Sequence, residues 1–291
     1  MNIAVFGKLK DRTDRAGIAS LAACLREKGA KIWFYRPFAD GMASSGYPLE
    51  ADGYFHSESD FPAGTDLMMA LGGDGTILTS LLFLQRRRLP VLGVNFGRLG
   101  FLTSVDGSGG LGWVDDLVAG RYEVENHLLL KLDGSADIPV CPLAINEVAL
   151  QRKDYGLLLM EVTIDSRPLP LYRADGILVS TPAGSTAYSL SVGGPVVMPG
   201  SDVITITPIA SHNLSVRPVV VPSTATVEVR LIEGGAALLS ADNRSCTFPE
   251  GGSFKITGER GGFGCITFNK DNFISALSGK LFWGQDRRNN L

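Results

Sequence analysis

The sequence predicts an α/β N-terminal domain followed by an all-β C-terminal domain. Two observations predict this fold class. Strand and helix signals alternate over the first hundred residues, and short β-type runs then recur with turn signals between them. The glycine-rich stretch 106–110 separates the two patterns. We therefore expect an α/β domain with a Rossmann-like parallel sheet, formed by residues 1–105 together with a returning C-terminal tail, 266–291, and a β-rich domain formed by residues 106–265.

Four apolar runs in the first domain predict buried parallel strands: Ile3–Phe6, Ile32–Tyr35, Leu67–Leu71 and Val91–Val94. A helix capped by Thr13 or Asp14 and ended by Gly29 is expected after the first strand, and another helix begins at Thr76. The segment Asp40–Gly64 is rich in Gly, Ser and Pro, which indicates an irregular loop or a mobile flap.

The second domain is predicted from short runs with β-type composition. Val227–Leu231, for example, alternates apolar and charged residues as a half-buried antiparallel strand does. A helix is expected near the C-terminus at Asp271–Lys280, where the chain returns to the first domain. The predicted strands are Glu123–Leu132, Ala144–Leu150, Leu157–Ile164, Ile177–Ser180, Val203–Thr207, Val219–Val221, Thr226–Ile232, Ala237–Ala241 and Phe254–Thr257.

Composition and charge exclude several classes of function. A hydrophobic fraction of 45% with 20% charged residues is typical of a globular protein with a large core. The net charge of −3 argues against a duplex nucleic-acid partner, which would require a basic surface. No basic leader and no 18-residue apolar stretch is present, so we expect no membrane partner and a cytoplasmic location.

The cysteines and histidines show no metal-binding pattern. None of them forms a CxxC or HExxH pair, so a zinc site is not expected and any other metal ligands stay unassigned. The cysteines are expected to be reduced thiols. The residues concerned are Cys24, Cys141, Cys246, Cys265, His56, His127 and His212.

The segment Gly72-Gly73-Asp74-Gly75-Thr76 lies between a predicted buried strand and a predicted helix. Its three glycines allow positive φ and let a ligand approach the main chain, and the N–H groups of a helix N-terminus bind anions such as phosphate. Asp74 would repel such an anion, which suggests that it serves chemistry or a metal ion. The alternative is an ordinary tight turn, since Asp and Gly are also common turn residues.

Other phosphate and nucleotide fingerprints are absent from the sequence. It contains no GxxxxGK[ST] segment, which excludes a P-loop NTPase, and no GxGxxG run after one of the strands predicted above, so it gives no sign of a standard dinucleotide fold. It also lacks the HRD and DFG pair of protein kinases and the GxSxG nucleophile elbow. Any phosphate chemistry must therefore use a different loop.

Two polar segments stand out in the second domain. Asn146-Glu147 interrupts an apolar strand, and because an unpaired buried carboxylate is costly, Glu147 is expected either to face solvent on an edge strand or to bind a ligand. The second segment, 173–194, is rich in hydroxyl groups and glycine and is longer than a connection requires. It could donate many neutral hydrogen bonds to a polyhydroxylated ligand.

Several motifs in order resemble the NAD kinase family. They are the Gly72–Thr76 segment, Gly93-Val94-Asn95-Phe96-Gly97-Arg98-Leu99-Gly100-Phe101-Leu102-Thr103, Asn146-Glu147, Asp175 through Pro195, Ser215-Val216-Arg217-Pro218 and Leu281-Phe282-Trp283-Gly284. The resemblance extends from about residue 67 to the C-terminus. It implies transfer of the γ-phosphoryl group of ATP, or another phosphoryl donor, to the 2′-hydroxyl of the adenosine ribose of NAD, which gives NADP.

The resemblance also implies roles for individual residues. Asp74 would be the catalytic general base, and the loop glycines would lie near phosphate. Asn146 and Glu147 would hold the adenosine end of NAD, whereas Arg173 and Asp175 would hold its nicotinamide end or contact a neighbouring subunit. The implied cofactor- and substrate-binding set is Gly72, Gly73, Gly75, Thr76, Asn95, Asn146, Glu147, Arg173, Asp175, Ala183, Thr186, Ala187, Tyr188, Ser189, Leu190, Ser191 and Asn243.

Family membership further implies ATP and NAD as small-molecule substrates, a divalent cation such as Mg²⁺, and a homodimer or homotetramer. Ala183 departs from the family pattern, which often has Ser or Thr there, so one hydrogen bond to the ligand would be missing. The rival interpretations are a lipid or sugar kinase with a similar Gly-Gly-Asp-Gly loop, and a non-catalytic NAD sensor.

Overall fold

The structure is a computed structural model that describes residues 1–11, 13–85, 87–97, 100–134, 141–268 and 272–281. The chain divides into two compact units. Unit 1 is formed by the described residues of Met1–Leu84, Arg88–Glu125 and Gly264–Leu291, and unit 2 by those of Gln85–Arg87 and Asn126–Phe263. The sequence-based domain boundaries near 105 and 266 stay a prediction.

Strands and helices alternate along the N-terminal part of unit 1. Asp14 caps the first helix, since its carboxylate accepts a hydrogen bond from the Gly17 N–H at 2.9 Å, and the apolar face of that helix is buried. The elements are β1 (Asn2–Gly7), α1 (Arg15–Glu27), β2 (Lys31–Tyr35), α2 (Arg36–Ser44), β3 (Gly53–Phe55), β4 (Leu67–Leu71), α3 (Asp74–Leu84), β5 (Pro90–Asn95), β6 (Val105–Asp106) and α4 (Trp113–Val118).

The sheet of unit 1 is parallel, with the strand order β5-β4-β1-β2-β3. The order reverses direction between β1 and β4, which pair at Gly7 and Leu71. This is the doubly wound arrangement, and its ligands bind outside the carboxyl ends of the strands where the order reverses.

The expectation of an irregular loop over Asp40–Gly64 is wrong at the start of that segment and again at residues 53–55. Helix α2 continues to Ser44 because Phe38, Ala39 and Met42 are buried against the core, which outweighs the low helix propensity of its Gly and Pro. Residues 53–55 form β3, which pairs in parallel with β2.

Unit 2 is formed almost entirely by β-strands. Strand β7 begins in unit 1 and continues into unit 2. A 3₁₀ helix at Ala183–Thr186 precedes the short helix α5 (Tyr188–Ser191). The strands are β7 (Glu123–Gly134), β8 (Leu143–Ala144), β9 (Glu147–Arg152), β10 (Leu158–Ile164), β11 (Arg167–Pro168), β12 (Tyr172–Ala174), β13 (Gly176–Ser180), β14 (Val203–Ile209), β15 (Val219–Pro222), β16 (Val227–Glu233), β17 (Ala237–Ala241), β18 (Arg244–Phe248) and β19 (Ser253–Thr267).

Two sets of antiparallel strands enclose the core of unit 2. One is a six-stranded sheet in the order β15-β14-β13-β9-β17-β18, and the other has the order β11-β10-β16-β19. Val179 and Leu239 from the first set and Met160 and Val229 from the second belong to one buried cluster. The predicted strand Ala144–Leu150 is interrupted, because β8 ends at Ala144 and β9 begins at Glu147.

The C-terminal part of the chain belongs to unit 1. Gly264 and Cys265 of β19 pair in parallel with β5, and α6 (Asn272–Leu281) follows. The predicted helix Asp271–Lys280 corresponds to α6, although Asp271 itself lies outside the described residues. Among the described residues, no helix has the length and apolar character that a membrane span requires. The predicted fold class, an α/β domain followed by a β domain, is confirmed.

Candidate functional site

The turn between β4 and α3 lies at the point where the strand order of unit 1 reverses. Gly72 has φ = +145°, and a Cβ atom at this position would collide with the Thr76 side chain, so glycine is required. The Gly72 N–H donates to the Val94 carbonyl oxygen at 2.9 Å, and the Thr76 N–H donates to the Gly73 carbonyl oxygen at 2.8 Å. The turn leads directly into α3, whose N-terminus favours anions.

A cavity of about 230 Å³ lies beside this turn. Lys8 and Lys10 contribute positive charge to its wall, which also includes Gly72, Thr76 and Asn95, and no acidic side chain is found among its described lining residues. The Lys8 Nζ donates to the Thr79 Oγ1 at 3.2 Å, which holds the ammonium group beside the second turn of α3. The cavity therefore suits a polyanion such as a phosphate chain.

Lys8 and Lys10 are functional candidates that the sequence analysis missed. They follow β1 directly, and β1 pairs with β4 so that Gly7 lies opposite Leu71. The signal available in the sequence was a pair of lysines immediately after the first apolar strand. Only the strand order brings the two lysines next to the Gly72 turn, and the strand order cannot be deduced from a short segment of the sequence.

The Asp74 carboxylate contacts three consecutive backbone N–H groups. Its Oδ2 accepts from Phe101 at 2.8 Å, and its Oδ1 accepts from Leu102 at 3.1 Å and from Thr103 at 3.2 Å. Gly100 lies so close that a Cβ atom there would collide with the carboxylate. Asp74 is therefore not an unpaired charge at the tip of a loop. It is an oriented anion that also fixes the segment after β5.

In unit 2, Glu147 is the first residue of β9, which lies between β13 and β17 in the six-stranded sheet. The alternative of an edge-strand Glu is therefore wrong. Burial raises the pKa of Glu147 to about 8, with a further rise from the negative charge of Asp242, opposed by a hydrogen bond from the Tyr188 N–H. The Glu147 Oε2 is buried and has no hydrogen-bond partner in the described part of the chain.

Like the Glu147 Oε2, three buried hydroxyl oxygens of unit 2 lack a hydrogen-bond partner in the described part of the chain. These are the side-chain oxygens of Ser180, Ser189 and Thr207. Ser180 lies opposite Glu147 in the pairing of β13 with β9, and Ser189 and Thr207 both border Gly194. Since buried polar groups are nearly always paired, these oxygens indicate a region that a polar ligand or water completes.

The segment 173–191 places several predicted residues around Glu147. Burial is the main cause of the raised pKa of the Tyr188 phenol, and the charges of Glu147 and Asp175 raise this pKa further. The three groups therefore lie within electrostatic range of one another. Asp175 also forms an ion pair with Arg152 at 3.1 Å. A Cβ atom at Gly184 would collide with the backbone of Asn146, which shows how closely the 3₁₀ helix packs against it.

The structure brings the predicted residues together in two groups. In unit 1 these are Gly72, Gly73, Asp74, Gly75, Thr76 and Asn95. In unit 2, Ala183 and Thr186 lie on the 3₁₀ helix, Ala187 follows it, and Tyr188, Ser189, Leu190 and Ser191 form α5, which packs near Asn146 and Glu147. Arg173 is exposed on β12, and Asn243 is exposed in the turn after β17. Of the motif residues, Arg98, Leu99 and 282–284 lie outside the described residues.

Two family descriptions match the chain. The ATP-NAD kinase N-terminal domain matches residues 50–122, and the ATP-NAD kinase C-terminal domain matches residues 145–259. An NAD kinase from Christiangramia forsetii is 31% identical over 99% of this chain and 100% of the relative. The chain belongs to the NAD kinase family. An NAD kinase from Bacteroides fragilis is 34% identical, again over 99% of this chain and 100% of the relative.

Solved structures agree with this assignment to the NAD kinase family. Yeast NADH kinase complexed with NADH has a TM-score of 0.88 and 26% identity, covering 98% of this chain and 89% of that one. An NAD kinase from Archaeoglobus fulgidus in complex with ATP has a TM-score of 0.71 and 26% identity, covering 97% and 99%. The predicted family, and with it a kinase enzyme, is confirmed, and the lipid kinase, sugar kinase and sensor alternatives are not favoured.

Proposed function

We propose that this NAD kinase transfers the γ-phosphoryl group of ATP to the 2′-hydroxyl of the adenosine ribose of NAD, forming NADP. The observation that carries the proposal is the arrangement at the strand-order reversal of unit 1. There, a glycine turn, a helix N-terminus and two lysines form an anion-binding cavity, and Asp74, whose carboxylate the backbone of residues 101–103 orients, directly follows the glycines of the cavity wall. This is the set of groups that phosphoryl transfer requires, because that reaction depends mainly on positioning and charge neutralisation.

ATP is the proposed donor, with its phosphates in the cavity beside Gly72 and near Lys8. The Archaeoglobus relative was crystallised with ATP, which supports this choice. In the described part of the chain, no group of three or more His, Cys, Asp or Glu side chains could hold a metal ion. We therefore propose that Mg²⁺ enters as part of the Mg·ATP substrate and is held by phosphate oxygens and water.

Asp74 is the proposed general base. A carboxylate is a weak base toward a ribose hydroxyl, so it would orient the hydroxyl and accept its proton late, in a loose transition state. The hydrogen bonds from Leu102 and Thr103 use both acceptor sites of Oδ1, and the one from Phe101 uses one of the two sites of Oδ2, so Oδ2 keeps a site for the ribose hydroxyl. These contacts fix the direction from which Asp74 can accept the proton of the ribose hydroxyl.

NAD is the proposed acceptor, bound by Asn146, Glu147 and the segment 183–191. The buried oxygens of Glu147 and Ser189 without partners support this role, because a hydroxyl-rich ligand could supply hydrogen bonds directly or through water. Arg173, Asp175 and Asn243 are proposed contacts at the ends of the dinucleotide or across a subunit interface. Because the yeast relative was crystallised with NADH, NADH is the second acceptor to test.

The test is to incubate the protein with ATP, Mg²⁺ and NAD and to measure NADP with a dehydrogenase specific for NADP. Parallel reactions contain NADH, diacylglycerol or fructose phosphate in place of NAD. We expect NADP from NAD and no product from the lipid or the sugar phosphate. No NADP from NAD, or phosphorylation of either control acceptor at a comparable rate, would contradict the proposal.

We also propose that the enzyme is a cytoplasmic homodimer or homotetramer. All four cysteines are free thiols, which supports a reducing compartment. Unit 2 exposes several large apolar side chains, including Tyr155, Leu171 and Leu214, which would suit burial against another copy of the chain. Light scattering should give the mass of two or four chains, and the mass of a single chain at micromolar concentration would contradict the oligomer.

A further inference from the structure

A two-residue turn, Asp242-Asn243, joins β17 to β18. Asp242 has φ = +51°, a left-handed conformation that Asp adopts more readily than most residues. Its side chain is 0% exposed, which is unusual for a carboxylate in a hairpin turn. Because burial of an unpaired carboxylate is costly, the partners of Asp242 indicate what it does.

We infer that Asp242 is a positioning residue for NAD, whose carboxylate fixes the backbone of residues 145–147 and thereby the side chains of Asn146 and Glu147. The inference rests on the proposed function, in which Asn146 and Glu147 bind the dinucleotide. Asp242 acts through these residues and does not itself need to touch the substrate.

The first support is a set of three hydrogen bonds from consecutive residues. The Asp242 Oδ2 accepts from the Ile145 N–H at 2.9 Å, and its Oδ1 accepts from the N–H groups of Asn146 at 2.8 Å and Glu147 at 3.2 Å. In return, the Asp242 N–H donates to the Glu147 carbonyl oxygen at 2.9 Å. The carboxylate thus satisfies N–H groups at the interruption between β8 and β9, where no strand partner does so.

The carbonyl groups of the same segment are held from the other side. The Thr181 Oγ1 donates to the Ile145 carbonyl oxygen at 2.6 Å, and the Thr181 N–H donates to the Asn146 carbonyl oxygen at 2.9 Å. Every backbone N–H and carbonyl group of residues 145–147 therefore has a partner in Asp242 or Thr181. Such complete pairing fixes one backbone conformation, which is what a residue that must present its side chain to a ligand needs.

The second support is electrostatic. Burial raises the pKa of Glu147 and the negative charge of Asp242 raises it further; burial also raises the pKa of Asp242 itself, opposed by its three backbone hydrogen bonds and by Arg244. Arg244 lies 3.7 Å from the Asp242 Oδ2 and donates to the Leu143 carbonyl oxygen, whereas Tyr188 faces Glu147 from α5 and also interacts with Asp175. Asp242 thus affects both the position of Glu147 and the pH at which Glu147 ionises.

The chain offers a matched control in Asp165. It begins a two-residue turn between the antiparallel strands β10 and β11, has φ = +49°, and accepts a hydrogen bond from the Thr226 N–H at 2.9 Å. Asp165 is exposed, and its carboxylate holds Thr226 and not the segment 145–147. Asp165→Asn therefore reproduces the chemical change of Asp242→Asn in the same kind of turn.

The experiment measures kcat, KM for NAD and KM for ATP between pH 6 and 10, together with the melting temperature, for the wild type and both variants. For Asp242→Asn we expect KM for NAD to rise about ten- to hundred-fold, because a small misplacement of binding groups can have an effect of this size. KM for ATP should stay within about two-fold of the wild-type value. The pH at which kcat/KM for NAD changes slope should fall by about one unit, since the negative charge beside Glu147 is gone. Asp165→Asn should match the wild type.

A wild-type KM for NAD and an unchanged pH profile in Asp242→Asn would overturn the inference, as would equal rises in both KM values. Asp242→Gly in the presence of formate is the second variant, since glycine accepts the backbone conformation and formate can supply the missing carboxylate. Formate should lower KM for NAD in Asp242→Gly and have no effect on Asp165→Gly. Failure of both Asp242 variants to fold would make Asp242 a residue of the fold alone, whereas absence of NADP from the wild type would refute the proposed function.

Discussion

Replacing Asp74 by Asn changes one oxygen to an amide group and removes the negative charge, with almost no change in volume. The structure predicts two separate effects. As general base, Asp74 should contribute about 10²- to 10⁴-fold to kcat, and an amide cannot accept the ribose proton. As the acceptor for three backbone N–H groups, it also holds residues 101–103.

The second effect can be worked from those hydrogen bonds. An Asn side chain keeps one carbonyl oxygen, but its NH₂ group faces N–H donors, so at least one bond to a charged acceptor is lost. Such a loss costs about 1–3 kcal/mol, and in a protein of this size it lowers the melting temperature by about 2–10 °C. We therefore expect Asp74→Asn to be folded, somewhat less stable, and at least about 100-fold slower, with KM for NAD within a few-fold.

Steady-state kinetics and thermal melting test both effects in one preparation. Asp66→Asn is the control, because the Asp66 carboxylate also accepts a backbone N–H, from Asn2 at 2.7 Å, but lies at the amino end of β4. The control should lose some stability and keep its kcat. If Asp74→Asn kept more than about a tenth of the wild-type kcat, Asp74 would not be the general base.

Three further predictions concern the other parts of the site. Lys8→Met should lower kcat/KM for ATP about ten-fold or more and leave KM for NAD unchanged, because a charged hydrogen bond to phosphate is lost. The kinetic control is Lys31→Met, since Lys31 is an exposed lysine at the start of β2, and equal effects of the two variants would contradict the role of Lys8. Glu147 has a raised pKa of about 8, so the folded state holds its proton while the unfolded chain releases it. Stability should therefore fall by up to about 1.4 kcal/mol per pH unit as the pH rises from near 4.5 to about 8, relative to Glu147→Gln, and parallel melting curves for both proteins over this range would refute the assignment. Gly72→Ala should lose both stability and turnover, because its Cβ collides with Thr76, whereas Gly29→Ala, with φ = +80° and open space, should lose stability alone.

Much of the fold follows from local patterns in the sequence. The predicted cap at Asp14 and the helical spacing of apolar residues after it correspond to α1, and the run Leu67–Leu71 is a fully buried strand. Helix α2 was not predicted, since its stability comes from burial of Phe38 and Met42 and not from propensity. The interruption at residues 145–146 was not predicted either, because it depends on Asp242, almost a hundred positions away.

The parts of the candidate site that one continuous segment forms could be predicted from the sequence. The parts that the strand order brings together could not. Gly72–Thr76 is recognisable because only glycine permits its backbone path. Lys8 and Lys10 become visible once β1 is known to pair with β4. From the sequence, Asp74 was expected only to repel a bound anion, whereas the structure shows that three backbone N–H groups donate to its carboxylate. Its carboxylate is therefore oriented by the backbone of residues 101–103, and it directly follows the glycines that line the cavity.

The most direct test of the central claim follows the phosphorus atom. The enzyme is incubated with Mg²⁺, NAD and ATP labelled in the γ-phosphate, and the labelled product is isolated. The account predicts that the label appears in a dinucleotide that an NADP-specific dehydrogenase reduces, which places it on the 2′-hydroxyl. Label that remains in ATP, is released as inorganic phosphate, or appears in a dinucleotide that the dehydrogenase does not accept would contradict it.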